Sequence, residues 1–271
     1  CVDQGLIQPS SMTKQKWAEA QNKMYSSSMV IAMDCARTDL DALLRDGPSS
    51  NHPSTGLCPR HALDPLHAKR LFRQLLQGLA HAHSRAVVHR NIKPAQLLIQ
   101  GEGDDEVLKI CGFSHACLLT RGGNLETRAR SDAGTLWYRA PESLLGVKET
   151  TTACDVWAAA TIFIEMLTGA PLFGGCSSGI GTLMSIFLHK GTPTDDIWPN
   201  CRSLPYWINN LPNWEPRSLA VQSGVEHLIG PLGDELLQRM TTYDPAQRIS
   251  AREALNHPFW DEVWDEGSPA K

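Results

Sequence analysis

The chain has 271 residues, of which 42% are hydrophobic and 20% are charged. This is the composition of a soluble globular protein, and it excludes a chain that is disordered throughout, because enough apolar surface exists to offset the loss of chain entropy. The 25 basic and 29 acidic residues give a formal net charge of −4, which excludes the strongly basic field of a general nucleic-acid binder.

The eight cysteines form no C-x-x-C pair. In a chain of this length such scattered cysteines predict reduced thiols and a cytoplasmic or nuclear protein. The longest apolar run covers residues 156–164 and ends at Glu165, well short of the ~20 residues that span a bilayer. We therefore expect no membrane segment. Because the first residue is Cys1, we expect a fragment, a processed form or an incomplete gene model.

The predicted elements begin with weakly patterned sequence. Residues 14–23 predict a short helix, residues 29–33 a strand and residues 39–44 a second short helix. Residues 45–64 predict a loop, since proline, glycine and serine interrupt them repeatedly.

Beyond residue 64 the chain predicts mainly helices with a few short strands. Apolar residues at helical spacing predict an amphipathic helix over 67–84. The remaining predictions are strands at 86–89, 96–100 and 107–111, a polar turn at 101–106, loops at 114–135 and 174–182, and helices at 151–168, 181–189, 233–241 and 250–256.

Three segments that follow the amphipathic helix carry the chemistry. They are His89-Arg90-Asn91-Ile92-Lys93-Pro94-Ala95-Gln96-Leu97-Leu98-Ile99, then Gly112-Phe113-Ser114, then a run from Gly134 to Ala140-Pro141-Glu142. Their order and spacing resemble the catalytic loop, the metal-binding loop and the A-P-E segment of eukaryotic protein kinases.

Later segments extend the resemblance and narrow it. Asp155-Val156-Trp157 resembles the start of the central buried kinase helix, and the run Asp244–Ser250 followed by His257-Pro258-Phe259 resembles the C-terminal signature. The sequence TLWYRAPE at 135–142, Gly191-Thr192-Pro193 and Trp198-Pro199 resemble the cyclin-dependent kinases.

The resemblance implies an α+β protein-kinase-like fold with a mainly helical C-lobe and a truncated N-lobe. Residues 1–35 would be a remnant of the N-lobe that ends in the hinge strand, and residues 36–271 the C-lobe. No G-x-G-x-x-G and no V-A-I-K motif precedes the hinge, so the phosphate cover and the strand lysine of a kinase are missing.

The resemblance implies part of a nucleotide site. By resemblance Met33 is the gatekeeper, the hinge runs from Asp34 to Ala36, and Leu98 is the apolar floor; ordinary core packing would explain Leu98 equally well. Because only half of a site remains, we expect weak or absent ATP binding.

The catalytic positions are degenerate. The position of the catalytic base is Asn91, whose amide cannot accept a proton at neutral pH. The second-metal ligand is Gln96, which is one methylene longer than the usual Asn, and the principal Mg²⁺ carboxylate is replaced by Gly112. No metal site is intact, although Lys93 keeps the position of the lysine near the γ-phosphate.

Other acidic and histidine residues do not restore a metal site. Asp104, Asp105 and Glu106 fall in the polar turn, and we expect them to be solvated rather than to replace the lost carboxylates. His81 and His83 are two residues apart on a helix, so they do not share a face and predict no metal site.

The scaffold positions of the family are kept. Glu142 and Arg248 resemble a buried ion pair, Asp155 the residue that accepts N–H bonds from the catalytic loop, and His89 with Phe113 the lower half of the hydrophobic spine.

The activation segment is altered. Arg90 resembles the arginine that receives an activation-loop phosphate. Thr127 and Ser131 are candidate acceptors, but the position best aligned with the phosphothreonine of the family is Arg130. Thr135, Trp137, Tyr138 and Arg139 resemble the substrate-side part of the segment, with structural packing as an equal alternative for its aromatic residues.

The resulting interpretation is a pseudokinase that acts as a scaffold or a regulatory partner. Its expected partners are proteins, such as a kinase or a cyclin-like regulator, and not nucleic acid or membrane. ATP and Mg²⁺ would be cofactors only if kinase activity remained. An active proline-directed Ser/Thr kinase whose N-lobe is missing from this chain is the alternative, and a degenerate gene product is a third possibility.

Overall fold

The protein is described by a computed structural model that covers residues 35–45, 61–119 and 136–261. Several predictions lie outside these residues. They are the helix at 14–23, the strand at 29–33, the N-lobe remnant before residue 35, Met33, Asp34, Thr127, Arg130, Ser131 and Thr135.

The described part is mainly helical. Its α-helices are α1 (Leu40–Arg45), α2 (Pro65–Ser84), α3 (Pro141–Leu144), α4 (Ala153–Thr168), α5 (Gly179–Lys190), α6 (Leu219–Ser223), α7 (Glu226–Met240) and α8 (Ala251–Leu255). Short 3₁₀ turns connect several of them.

The strands form two small antiparallel sheets. One has the order β1 (Thr38–Asp39), β3 (Leu97–Gln100) and β4 (Val107–Ile110), and the other pairs β2 (Val87–Val88) with β5 (Cys117–Leu118). The β3–β4 hairpin pairs Leu97 with Ile110. These sheets lie next to the segments that carry the kinase-like motifs.

Helix α2 confirms the amphipathic helix predicted at 67–84 and starts two residues earlier. Asp64 caps its N-terminus by accepting hydrogen bonds from the backbone N–H groups of Leu66 and His67, and Pro65 occupies the first helical position, where its missing N–H costs nothing. The apolar stripe of α2 is fully buried.

Helix α4 is the centre of the core. Nearly all of its residues are buried, as expected for a helix that is apolar on most faces. Phe163 of α4 stacks on Phe72 of α2 with ring centroids 4.1 Å apart. The two longest helices are therefore joined by aromatic packing, and the prediction of a central helix at 151–168 is confirmed with a start at Ala153.

Three predicted boundaries are wrong. The predicted loop at 114–135 contains β5, which pairs with β2. The predicted loop at 174–182 contains the first turn of α5, because the Ser178 hydroxyl caps that helix by accepting the backbone N–H of Gly181 at 3.0 Å. Helix α7 begins seven residues before the predicted residue 233, since two helical pieces continue across a kink at Gly230.

None of the helices in the described ranges is long and apolar enough to cross a membrane. All six cysteines that the structure describes carry free thiols.

A buried ion pair joins α3 to the segment before α8. Arg248 donates from Nη1 to Glu142 Oε1 at 2.7 Å and from Nη2 to Oε2 at 2.9 Å, so the pair is bidentate. The remaining three N–H groups of Arg248 donate to the backbone carbonyls of Thr242, Tyr243 and Ala153. All five guanidinium donors therefore have acceptors, and the ion pair expected from the sequence is present.

The substitution Glu142→Ala tests the contribution of this pair. It leaves Arg248 charged and buried without its counterion, so we expect the free energy of unfolding to fall by about 3–5 kcal/mol, measured by urea denaturation. The matched control is Arg45→Ala, which breaks the surface pair with Asp41 and is expected to cost about 0.5 kcal/mol or less. Equal losses for the two variants would contradict the prediction.

Candidate active site

The loop after β2 is fixed by a carboxylate at the start of α4. Asp155 accepts the backbone N–H of His89 and that of Arg90, each at 2.8 Å, and lies 3.0 Å from the ring Nε2 of His83. Arg90 has a left-handed backbone with φ of 65°, which is strained for a residue with a side chain. The bonds to Asp155 stabilise this conformation, and the role expected of Asp155 matches its contacts.

His89 holds the far side of the same loop. Its Nε2 lies 2.8 Å from the carbonyl oxygen of Cys111, and its Nδ1 lies 3.2 Å from the backbone nitrogen of Asn91. A ring with its proton on Nε2 donates to Cys111 and accepts from Asn91, so the neutral tautomer satisfies both contacts. Burial lowers the pKa of His89, although the Cys111 carbonyl and Asp155 oppose this shift.

Phe113 packs edge-on against His89 with ring centroids 4.7 Å apart. This contact joins the loop after β2 to the segment after β4. Phe113 remains 45% exposed, because nothing in the described part covers its other side.

The β3–β4 hairpin brings Gln96 and Gly112 together. The backbone N–H of Cys111 donates to the carbonyl oxygen of Gln96 at 2.9 Å, which extends the hairpin by one step. Gly112 has φ of 77°, a conformation that glycine adopts without steric cost.

The side-chain amide of Gln96 occupies the space in front of Gly112. A Cβ atom placed on Gly112 would lie 1.6 Å from Gln96 Oε1 and 2.4 Å from Gln96 Cδ. The thiol of Cys111 lies 3.5 Å from the same Oε1 and donates to it. The longer side chain at 96 therefore fills the position from which a side chain at 112 would extend.

The acidic turn before β4 is only partly solvated. Asp104 and Asp105 are exposed as predicted, but Glu106 is buried, with 8% of its surface accessible. Its Oε1 accepts from Arg37 at 2.6 Å and its Oε2 lies 2.5 Å from His67 Nε2. The prediction that Glu106 is solvated was wrong because these two partners compensate its burial.

A family model of the protein kinase domain matches residues 13–260 of the chain. The chain belongs to the protein kinase family.

In protein kinases two residues hold Mg²⁺, the Asp of the metal-binding loop and the Asn of the catalytic loop. The sequence resemblance assigns these positions to Gly112, which has no side chain, and to Gln96, which has a neutral amide. Mg²⁺ prefers carboxylate oxygens at short octahedral distances, and within the described ranges no group of three acidic, His or Cys residues could hold a metal ion. These residues do not fit the metal of the family.

The other two catalytic-loop positions are half-buried. Asn91 uses its backbone N–H for the contact with His89, and its side chain offers an amide where kinases offer a carboxylate. Lys93 precedes a 3₁₀ turn in an extended conformation. The catalytic roles of these positions stay predictions.

Ala36 and Leu98 are the described residues of the expected nucleotide site. Leu98 pairs with Asp39 across the β1–β3 ladder, and Arg37 donates its backbone N–H to Ile99 at 3.0 Å. Leu97 and Ile99 are fully buried while Leu98 is only partly buried, so Leu98 faces away from the core side of β3. This placement favours a floor residue over core packing, and nucleotide contact itself stays a prediction.

The activation segment is held by several polar contacts. Arg90 donates its Nε to the carbonyl oxygen of His115 at 2.5 Å. Trp137 donates its indole N–H to the backbone carbonyl oxygen of Cys176. The buried Tyr138 donates its hydroxyl to Glu165 Oε2 at 2.7 Å. For these two aromatic residues the contacts support the structural alternative, while Arg139 is half-buried and its substrate role stays a prediction.

Sequence reasoning missed two features of this region. The filling of the Gly112 position by Gln96 has a signal in the sequence, since a lengthened side chain accompanies a deleted one. The burial of Glu106 has no local signal, because its partners are distant in the chain.

The substitution Gly112→Ala tests whether Gln96 fills this space. We expect the free energy of unfolding to fall by about 1–2 kcal/mol, because alanine is strained in the left-handed backbone conformation. We expect a further loss of about 1 kcal/mol, because the added Cβ displaces Gln96. Gly175→Ala is the matched control, since Gly175 has φ of 81° and nothing within 4 Å of its added Cβ. The loss of stability in Gly112→Ala should therefore exceed the loss in Gly175→Ala. When Gln96 is also replaced by Ala, this difference should disappear. An excess that survives there would contradict the contact.

Proposed function

We propose that this protein is a pseudokinase, similar to the cyclin-dependent kinases, that serves as a scaffold or a regulatory partner for another protein. The observation that carries the proposal is the Gln96 amide in the space that a side chain at Gly112 would need. By resemblance, Gly112 stands where kinases have the Asp that holds Mg²⁺.

The replaced residues at Asn91 and Gly112 support the proposed loss of phosphoryl transfer. Transfer of the γ-phosphoryl group depends on charge neutralisation by metal and on a group that orients the nucleophile and accepts its proton. Asn91 cannot accept the proton, and positioned bases contribute about 10²–10⁴-fold to rate. We also propose weak or absent binding of Mg-ATP, since Gly112 offers no carboxylate for the metal that accompanies the nucleotide.

The retained scaffold supports a binding role. Asp155, His89 and Arg248 keep the loop, the hairpin and the helix α3 in fixed positions without any catalytic group. A rigid surface of this kind suits recognition of a protein partner. The likeness to cyclin-dependent kinases rests on TLWYRAPE at 135–142 and on Gly191-Thr192-Pro193.

An assay of phosphotransfer tests the loss of catalysis. With Mg-ATP and a Ser-Pro peptide, we expect the unmodified chain to give no more product than its Lys93→Met variant, because neither has the carboxylates or the base. Product formed by the unmodified chain and lost in Lys93→Met would favour the alternative of an active proline-directed Ser/Thr kinase.

Thermal unfolding tests nucleotide binding separately. A ligand that binds only the folded state raises the melting temperature. Because we propose that Mg-ATP binds weakly or not at all, we expect no rise on its addition. The control is ATP with EDTA, which separates binding of the nucleotide from binding that needs metal. A rise of several degrees that requires Mg²⁺ would contradict the proposed loss of the metal site.

A further inference from the structure

A cleft between the end of α5 and the end of α7 is lined by two basic side chains. Its volume is about 360 Å³, at the lower end of the range of ligand pockets. Its lining residues are Lys190, Ile197, Gln238, Arg239, Thr242 and Tyr243. None of them belongs to the candidate active site.

Lys190 is a poorly compensated cation in this cleft. Its Nζ lies 5.5 Å from the centroid of the Tyr243 ring, and it forms no ion pair with any residue of the described ranges. Burial lowers the pKa of Lys190 to about 8, with a further contribution from Arg248 and partial opposition from Asp234. The surroundings of Lys190 therefore favour the approach of a negative charge.

The acidic residue near Lys190 is already engaged. Asp234 accepts the Ser218 hydroxyl at 2.5 Å on one oxygen and the Gln238 amide at 2.8 Å on the other. Arg239 is exposed and forms no ion pair within the part of the chain that the structure describes. Two cations thus line one cleft. Asp234, the carboxylate near Lys190, is bonded to other groups, and Glu253, whose charge interacts with Arg239, accepts hydrogen bonds from Ser250.

We propose that this cleft binds an acidic side chain of a protein partner, which Lys190 and Arg239 hold from two sides. Ile197 is 47% exposed and offers an apolar contact for a residue next to the acidic one. The cleft is open to the surface, so a side chain that protrudes from a partner can enter it. This inference rests on the proposed function as a scaffold.

A binding assay with the full chain tests the proposal. The probe is a fluorescently labelled peptide of sequence Leu-Glu-Leu-Glu-Leu-Glu, and the control peptide has Gln in place of Glu. We expect anisotropy to report binding of the Glu peptide only, with Lys190→Met and Arg239→Gln each weakening it at least about fivefold, since a charged hydrogen bond is lost. Arg45→Gln, which removes the same charge from α1, should leave binding unchanged.

Titration of pH gives a readout that a structural role of Lys190 would not produce. Because the ammonium loses its proton near pH 8, binding should weaken from pH 7 to pH 9 in the unmodified chain and in Arg239→Gln. It should change little in Lys190→Met. Arg239 is on the surface, so its variant keeps the test valid even if Lys190→Met does not fold.

Three outcomes would overturn the proposal. They are equal binding of the Glu and Gln peptides, unchanged binding in both cleft variants, and no detectable binding of the Glu peptide to the unmodified chain. Phosphotransfer activity together with peptide binding would overturn the pseudokinase function and leave the cleft intact, so the two failures are distinguishable.

Discussion

The Arg248 guanidinium determines the geometry of the C-terminal part of the fold. It joins Glu142 of α3, the carbonyl of Ala153 at the start of α4 and two carbonyls of its own segment. Ala153 lies two residues before Asp155, which in turn fixes the backbone of the loop at His89 and Arg90. A single buried cation thus positions the start of the central helix, and through it the loop that carries the kinase-like residues.

These supporting contacts do not include Asn91, Gln96 or Gly112, the positions that the resemblance assigns to the base and the metal ligands. A kinase needs the same supports to place its base and its metal ligands, but the supports do not need the base or the metal. The charges of the scaffold are compensated internally, by Glu142 for Arg248 and by backbone N–H groups for Asp155. A kinase domain can therefore keep its shape with Asn91, Gln96 and Gly112 at the positions that the sequence resemblance assigns to the base and the metal ligands.

Much of the described fold could be predicted from the sequence. Helix α2 and helix α4 follow from apolar periodicity, and the Glu142–Arg248 pair follows from motif positions. Strand β5 could not be predicted, because a two-residue strand depends on its partner Val87–Val88 rather than on its own pattern. Likewise Glu106 meets Arg37 and His67 across sequence separations of 69 and 39 residues, and no local rule indicates such contacts. The relation of Gln96 to Gly112 required the register of the β3–β4 hairpin.

The contacts of Arg37 have a consequence for how the molecule opens. Strand β1 is only two residues long. Its contacts include the ladder to β3, and the neighbouring Arg37 forms polar links to Glu106 and Gly101. Regions with few buried apolar contacts separate from a protein at a lower free energy than global unfolding. Leu40 and Leu44 of α1 are fully buried in the core. The segment expected to open at the lowest free energy therefore lies just before that helix. Hydrogen exchange would show the amides of residues 37–39 exchanging as a small separate unit, well ahead of those of α2 and α4.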